Sequence, residues 1–173
     1  MTTDPRHRDP AAPRLELGVV LSGLDVASAE DVLRTLAGRL LDDGAVTPGF
    51  PDALHQRELR YPTGLPTPIP TAIPHADPEH VLVPGLALAT LARPVPFGEM
   101  GGSGGTVDVQ LVAMPLLRDA TEHLATLQRL VGVLRDESAV ADLLAAAGDE
   151  QLRERAMAQL GNVDPGQREE DRA

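Results

Sequence analysis

Residues 61–80, YPTGLPTPIPTAIPHADPEH, constrain this chain more than any other stretch. Five prolines run from Pro62 to Pro74 inclusive. Proline fixes φ and has no N–H to donate, so this segment forms neither a helix interior nor a central strand. It is a stiff lead-in to one histidine. Thr71, Ala72 and Ile73 have the composition of a brief strand, after which Pro74 presets a bend. His75 is thereby expected at a strand end facing a loop, where an imidazole is open to chemistry.

The pattern around this stretch predicts one domain over residues 14–161, between disordered tails at 1–13 and 162–173. Leu15, Leu17, Val19 and Leu21 alternate as in a strand. Ser28 and Asp31 have capping-box spacing ahead of a helical stripe of Val32, Leu33, Leu36, Ala37, Leu40 and Leu41, and Gly44 is the expected stop. A second helix fits 51–59, with Pro51 in its first turn and Arg57 beside the face that Leu54 buries. Residues 86–92 and 107–114 read as strands. The loop between them, FGEMGGSGG, turns freely but lacks lysine and opens no helix, so it is no phosphate-binding P-loop. Asp119 and Glu122 suggest a capping box for a helix carrying Leu124, Leu127, Leu130, Val131 and Leu134, and two short helices are expected over 138–147 and 150–160. Strands interleaved with helices predict an α/β domain.

Composition narrows the function classes. The formal net charge is −11 and all fifteen basic residues are arginine. Nucleic-acid binding, which rests on neutralising phosphates, is disfavoured. Two Phe, one Tyr and no Trp leave few platforms for stacking bases or sugars. The absence of cysteine excludes disulfides, thiolate metal sites and cysteine nucleophiles. No apolar run approaches the roughly 20 residues that span a bilayer, so a soluble, cytoplasmic protein without membrane insertion is expected. No cofactor is implied.

The histidines differ in promise. His7 falls in the tail and reads as inert, and His55 reads as a surface residue of the second helix. His80 follows His75 with Asp77 and Glu79 between them, a cluster that invites a metal; Pro78 breaks any helical face and no HExxH spacing is present, so no metal is expected. His123 falls in the first turn of the Asp119-capped helix, where free N–H groups and the helix dipole favour an anion. Alone it reads as an exposed histidine of no consequence. Paired with a histidine on a neighbouring strand end, it reads as part of a site.

The segment Arg57-Glu58-Leu59-Arg60-Tyr61-Pro62-Thr63-Gly64-Leu65-Pro66-Thr67, followed by Thr71-Ala72-Ile73-Pro74-His75-Ala76-Asp77, resembles the IIA component of the bacterial phosphoenolpyruvate-dependent sugar phosphotransferase system. The likeness is to the fructose–mannitol class (type-2 EIIA), most closely its galactitol-type members, and extends over roughly residues 15–160. Thr121-Glu122-His123-Leu124 resembles the family's second histidine site. The resemblance implies a mixed β-sheet flanked by α-helices. It implies that His75 accepts a phosphoryl group from phospho-HPr and passes it to a cysteine of an EIIB component, which serves an EIIC membrane component. His123 would be the second active-site histidine and Arg57 the nearby arginine. The acidic pair Asp77 and Glu79 departs from the family pattern, and its charge opposes phosphate.

The chemistry is coherent without the family. Neutral imidazole offers a lone pair at cellular pH, and phosphoryl transfer asks chiefly for alignment and for stabilisation of spread negative charge. By family analogy Nε2 attacks while the other ring nitrogen donates to a backbone carbonyl. Thr71 is a candidate hydroxyl donor. Pro62, Leu65, Pro66, Ile69 and Pro74 form either a docking surface or the packing under the loop. Two other functions are considered: a regulatory IIA-like protein whose His75 phosphorylation controls partner binding, and a metal-dependent hydrolase using His75, Asp77 and His80.

Overall fold

Alternating apolar residues put the first strand, β1, at Leu17–Leu24. The computed structural model, which describes residues 16–119, 121 and 124–161, sets β1 parallel to β4 (Gly85–Gly98). Strand β4 turns back into β5 (Thr106–Leu116) as a long antiparallel hairpin. The short β3 (Thr71–Ala72) lies parallel to β5, and β2 (Gly64–Leu65) closes the edge antiparallel to β3. The sheet is therefore mixed and five-stranded, in the order β1-β4-β5-β3-β2.

Side-chain alternation feeds two cores, one on each face of the sheet. Ala87, Ala89, Val112 and Met114 pack with α1 (Ala29–Asp42) and α2 (Phe50–Arg60). Leu86, Leu88, Leu111 and Ala113 pack with α3 (Leu124–Arg135), α4 (Glu137–Leu144) and α5 (Asp149–Ala156). The α/β architecture expected from the pattern is the one observed.

The local differences have physical causes. Strand β4 runs six residues beyond the expected end at Ala92, through Arg93 and Pro94 to Gly98. Its register with β5 shifts between Thr90 and Val95, and Val95 and Phe97 then return to the core. The last β1 pairing is Leu24 with Leu91, so Pro94 and Pro96 sit where one side of β4 has no ladder to supply.

The first helix starts as expected: Ser28 Oγ accepts from the Asp31 N–H at 3.1 Å. The Asp31 carboxylate turns to Arg34 at 3.4 Å instead of reaching back to complete a capping box. Gly44 follows with φ +69°, the left-handed turn that only glycine adopts at little cost. Helix α2 begins at Phe50, which with Leu54 is fully buried. Helix α4 starts at Glu137 because Asp136 caps it, its Oδ1 accepting from the N–H groups of Ser138 and Ala139 at 3.1 and 3.2 Å. Glu122 lies outside the described residues. Asp119 accepts from the Thr121 N–H and hydroxyl at 2.9 and 2.7 Å, a local turn ahead of Leu124. The chain beyond α5 continues in one wide turn, Met157–Gly161.

Candidate active site

His75 sits just past the end of β3, as the proline pattern predicts. Pro74 and Ala76 on either side are buried while the ring is half-buried. Its Nδ1 lies 2.9 Å from the Ile73 carbonyl oxygen. A carbonyl only accepts, so Nδ1 carries the proton and Nε2 the lone pair. No described residue hydrogen-bonds Nε2. The backbone thus selects the tautomer in which the outer nitrogen is nucleophilic.

The ring borders a cavity of about 510 Å³ lined also by Arg57, Arg60, Tyr61, Met100 and Gly102. Arg57 gets there from α2: Leu54, one turn earlier, anchors the helix in the core, and Arg57 projects half-buried beside it. Its Nη1 donates to Asp77 Oδ1 at 2.9 Å and its guanidinium carbon lies 5.7 Å from the Tyr61 ring centroid, within cation–π range.

The opposite wall is the β4–β5 turn, which sequence reasoning treated only as a flexible connection. It is tied down at Met100, whose N–H donates to the Gly64 carbonyl at 2.8 Å. Gly98 lies so close to Pro62 that an added Cβ would meet the proline ring at 2.8 Å. Gly101 and Gly102 take φ +100° and +73°, bringing bare backbone to the cavity edge. The available signal was the pairing of a glycine run with the PTG segment, two features that read separately as turns.

The segment between α2 and β2 is pinned by Glu58. Its carboxylate accepts from the Thr63 N–H at 3.0 Å and the Thr63 hydroxyl at 2.8 Å. Burial raises the Glu58 pKa above the ordinary 4.5, the two Thr63 bonds pulling it down by less. The folded state therefore holds a proton that the unfolded chain has begun to release, so this group's stabilising contribution is full below about pH 4.5 and declines as pH rises through the folded-state value. Glu58→Gln mimics the protonated acid and removes that decline. Urea unfolding from pH 4 to 8 should show native stability falling relative to Glu58→Gln with rising pH; a relative rise would show that the Thr63 bonds outweigh burial.

Of the residues singled out from sequence, His75 and Arg57 share the cavity, whereas His123 lies outside the described residues. Thr71 does not serve as a hydroxyl donor at the cavity: it is fully buried, and its hydroxyl lies 3.1 Å from that of Thr67. His80 faces away toward Thr47, with Nδ1 3.1 Å from the threonine hydroxyl. Among the described residues no cluster of three or more His, Asp or Glu side chains is placed to hold a metal ion. The apolar residues divide: Pro74 is buried, and Ile69 and Ile73 pack on the second core. Leu65, Pro66, Ile73 and Met100 border a neighbouring groove of about 480 Å³.

The family model for the phosphoenolpyruvate-dependent sugar phosphotransferase system, EIIA 2, matches residues 15–156. The chain belongs to this EIIA 2 family. A multiphosphoryl transfer protein of Salmonella typhi is 31% identical over 132 residues, 76% of this chain and 33% of that protein. The chain therefore spans about a third of the length of the curated relatives it matches. In the solved complex of Escherichia coli mannitol IIA with phosphorylated mannitol IIB, the matching chain is 26% identical with TM-score 0.63, over 79% of this chain and 92% of that one. The nitrogen regulatory IIA-Ntr of Neisseria meningitidis shares the fold, at 24% identity and TM-score 0.58 over 78% of this chain and 90% of that one. The expected mixed sheet with flanking helices is thus the EIIA 2 architecture. Among the described residues no helix is long and apolar enough to cross a membrane.

Proposed function

We propose that this EIIA domain is a cytoplasmic phosphocarrier that accepts a phosphoryl group from phospho-HPr on His75 and passes it to the cysteine of an EIIB component, for uptake of a sugar or polyol through an EIIC membrane component. The observation that carries the reading is the Nδ1–H bond from His75 to the Ile73 carbonyl at 2.9 Å, beside a cavity that also holds Arg57. In the first step the Nε2 lone pair forms the new N–P bond as the donor's N–P bond breaks and its electron pair returns to the donor imidazole. Nδ1 keeps its proton throughout. In the second step a cysteine thiolate attacks phosphorus and His75 leaves as neutral imidazole. Arg57, with its fixed positive charge, and, by the family resemblance, His123 are assigned to the phosphoryl oxygens. The site is a covalent relay and in that sense a phosphotransferase.

Incubation with phosphoenolpyruvate, Enzyme I and HPr tests the reading. Intact-protein mass should rise by one acid-labile phosphoryl group, and fragmentation should place it on the peptide containing His75. No gain, with general components shown competent on a known IIA, would overturn it. Uptake of phosphate without transfer to any EIIB would favour the regulatory alternative.

A further inference from the structure

We propose that Asp77 is a positioning residue that holds the Arg57 guanidinium in reserve and competes with the phosphoryl group for it. The proposal rests on the phosphocarrier reading for its purpose, though its geometry stands apart. Arg57 Nη1 and Asp77 Oδ1 are 2.9 Å apart, across a gap of twenty residues in sequence. The Asp77 side chain is 63% exposed and that of Arg57 34%, so the pair is solvated and exchangeable rather than locked. The Arg57 Nε is buried with no hydrogen-bond partner among the described residues, so part of the guanidinium's donor capacity is unspent in the resting form. The guanidinium carbon lies 5.7 Å from the Tyr61 ring centroid, a contact with the ring face that uses none of the N–H donors and leaves them for an anion.

Asp77 follows His75 by two residues, with Ala76 buried between them. The carboxylate and the imidazole therefore share one short, proline-flanked segment, and the cation that serves a phosphoryl group on His75 already has an anionic partner beside it. A dianion arriving at Nε2 draws Arg57 from a singly charged carboxylate. When the phosphoryl group leaves, Asp77 recaptures the guanidinium. Two consequences follow. Phosphate is held less tightly than a free arginine would hold it, and the phosphorylated form lies higher in free energy, which suits a relay that must give the group away.

Inorganic phosphate titrated into the unphosphorylated protein, followed through the His75 imidazole NMR resonances, tests this without any donor protein. Asp77→Asn should bind phosphate about three- to fivefold more tightly than the native chain, the scale of one solvated ion pair released. In an Arg57→Gln background the same Asp77→Asn change should have a markedly smaller effect, because no guanidinium remains to be freed. An equal gain in both backgrounds would mean simple charge repulsion by Asp77 and would overturn the latch, as would no gain or no phosphate binding by Asp77→Asn. Failure of the native chain to take phosphate from HPr would instead strike the phosphocarrier reading, and the two results are read separately.

Discussion

On the phosphocarrier reading, His75→Ala should take up no acid-labile phosphoryl group from phosphoenolpyruvate, Enzyme I and HPr, a loss on the order of 10⁴-fold or more from removal of the proposed covalent nucleophile. The size of the effect follows from what the site lacks as well as from what it holds. The chain has no cysteine. Among the described residues the other cavity-lining side chains are Arg57, Arg60, Tyr61, Pro62, Thr63 and Met100, and the Thr63 hydroxyl is bound to Glu58. Arginine stays protonated, so it does not accept the group. The variant should fold, because the half-buried ring gives up one hydrogen bond to Ile73 and little apolar contact. An unaltered melting temperature with abolished labelling is the expected combination. Residual labelling at even a tenth of the native rate would mean that another residue is the acceptor.

Whatever depended on a short-range rule was legible in the sequence. Pro74 and His75 could be placed at a strand end because proline restricts both itself and its neighbours, whatever the tertiary surroundings. The Ser28 cap, the α1 stripe and Gly44 were legible for the same reason, each resting on bonds within a few residues. Helical spacing from Leu54 put Arg57 beside the buried face, and only the family resemblance put it near His75. Features made by long-range approach were not legible. Thr71 reads as an available hydroxyl, yet its strand runs between β5 and β2, which buries it against Thr67. The ion pair between Arg57 and Asp77 joins a helix to a loop across the proline segment, and composition there signalled only an acidic departure. The Gly101–Gly102 wall was missed because a glycine run specifies freedom, while the contacts that remove this freedom come from Gly64 and Pro62.

Gly64→Ala should lower stability by about 3 kcal/mol, the upper range for forcing extra volume into packed structure, and should slow phosphoryl uptake on the order of tenfold or more. An added Cβ at Gly64 would meet the Gly98 carbonyl oxygen and a Val107 methyl at 2.6 Å, and the Phe97 Cβ at 3.2 Å. None of these yields readily: one is backbone, and Phe97 is only 1% exposed. Strand β2 must therefore move outward from the hairpin. It carries Pro62 and Thr63 with it on one side of the cavity and, through the bond from Met100, strains the glycine wall on the other. Gly38→Ala is the matched control, since nothing lies within 4 Å of its added Cβ and the residue is interior to α1. That variant should gain about 0.5–1 kcal/mol from helix propensity and keep native uptake. Denaturant unfolding and labelling rates on the two variants separate the explanations. Equal stability changes would refute the close approach at Gly64, and a destabilised Gly64→Ala with native labelling would show that the β4–β5 turn does not shape the site.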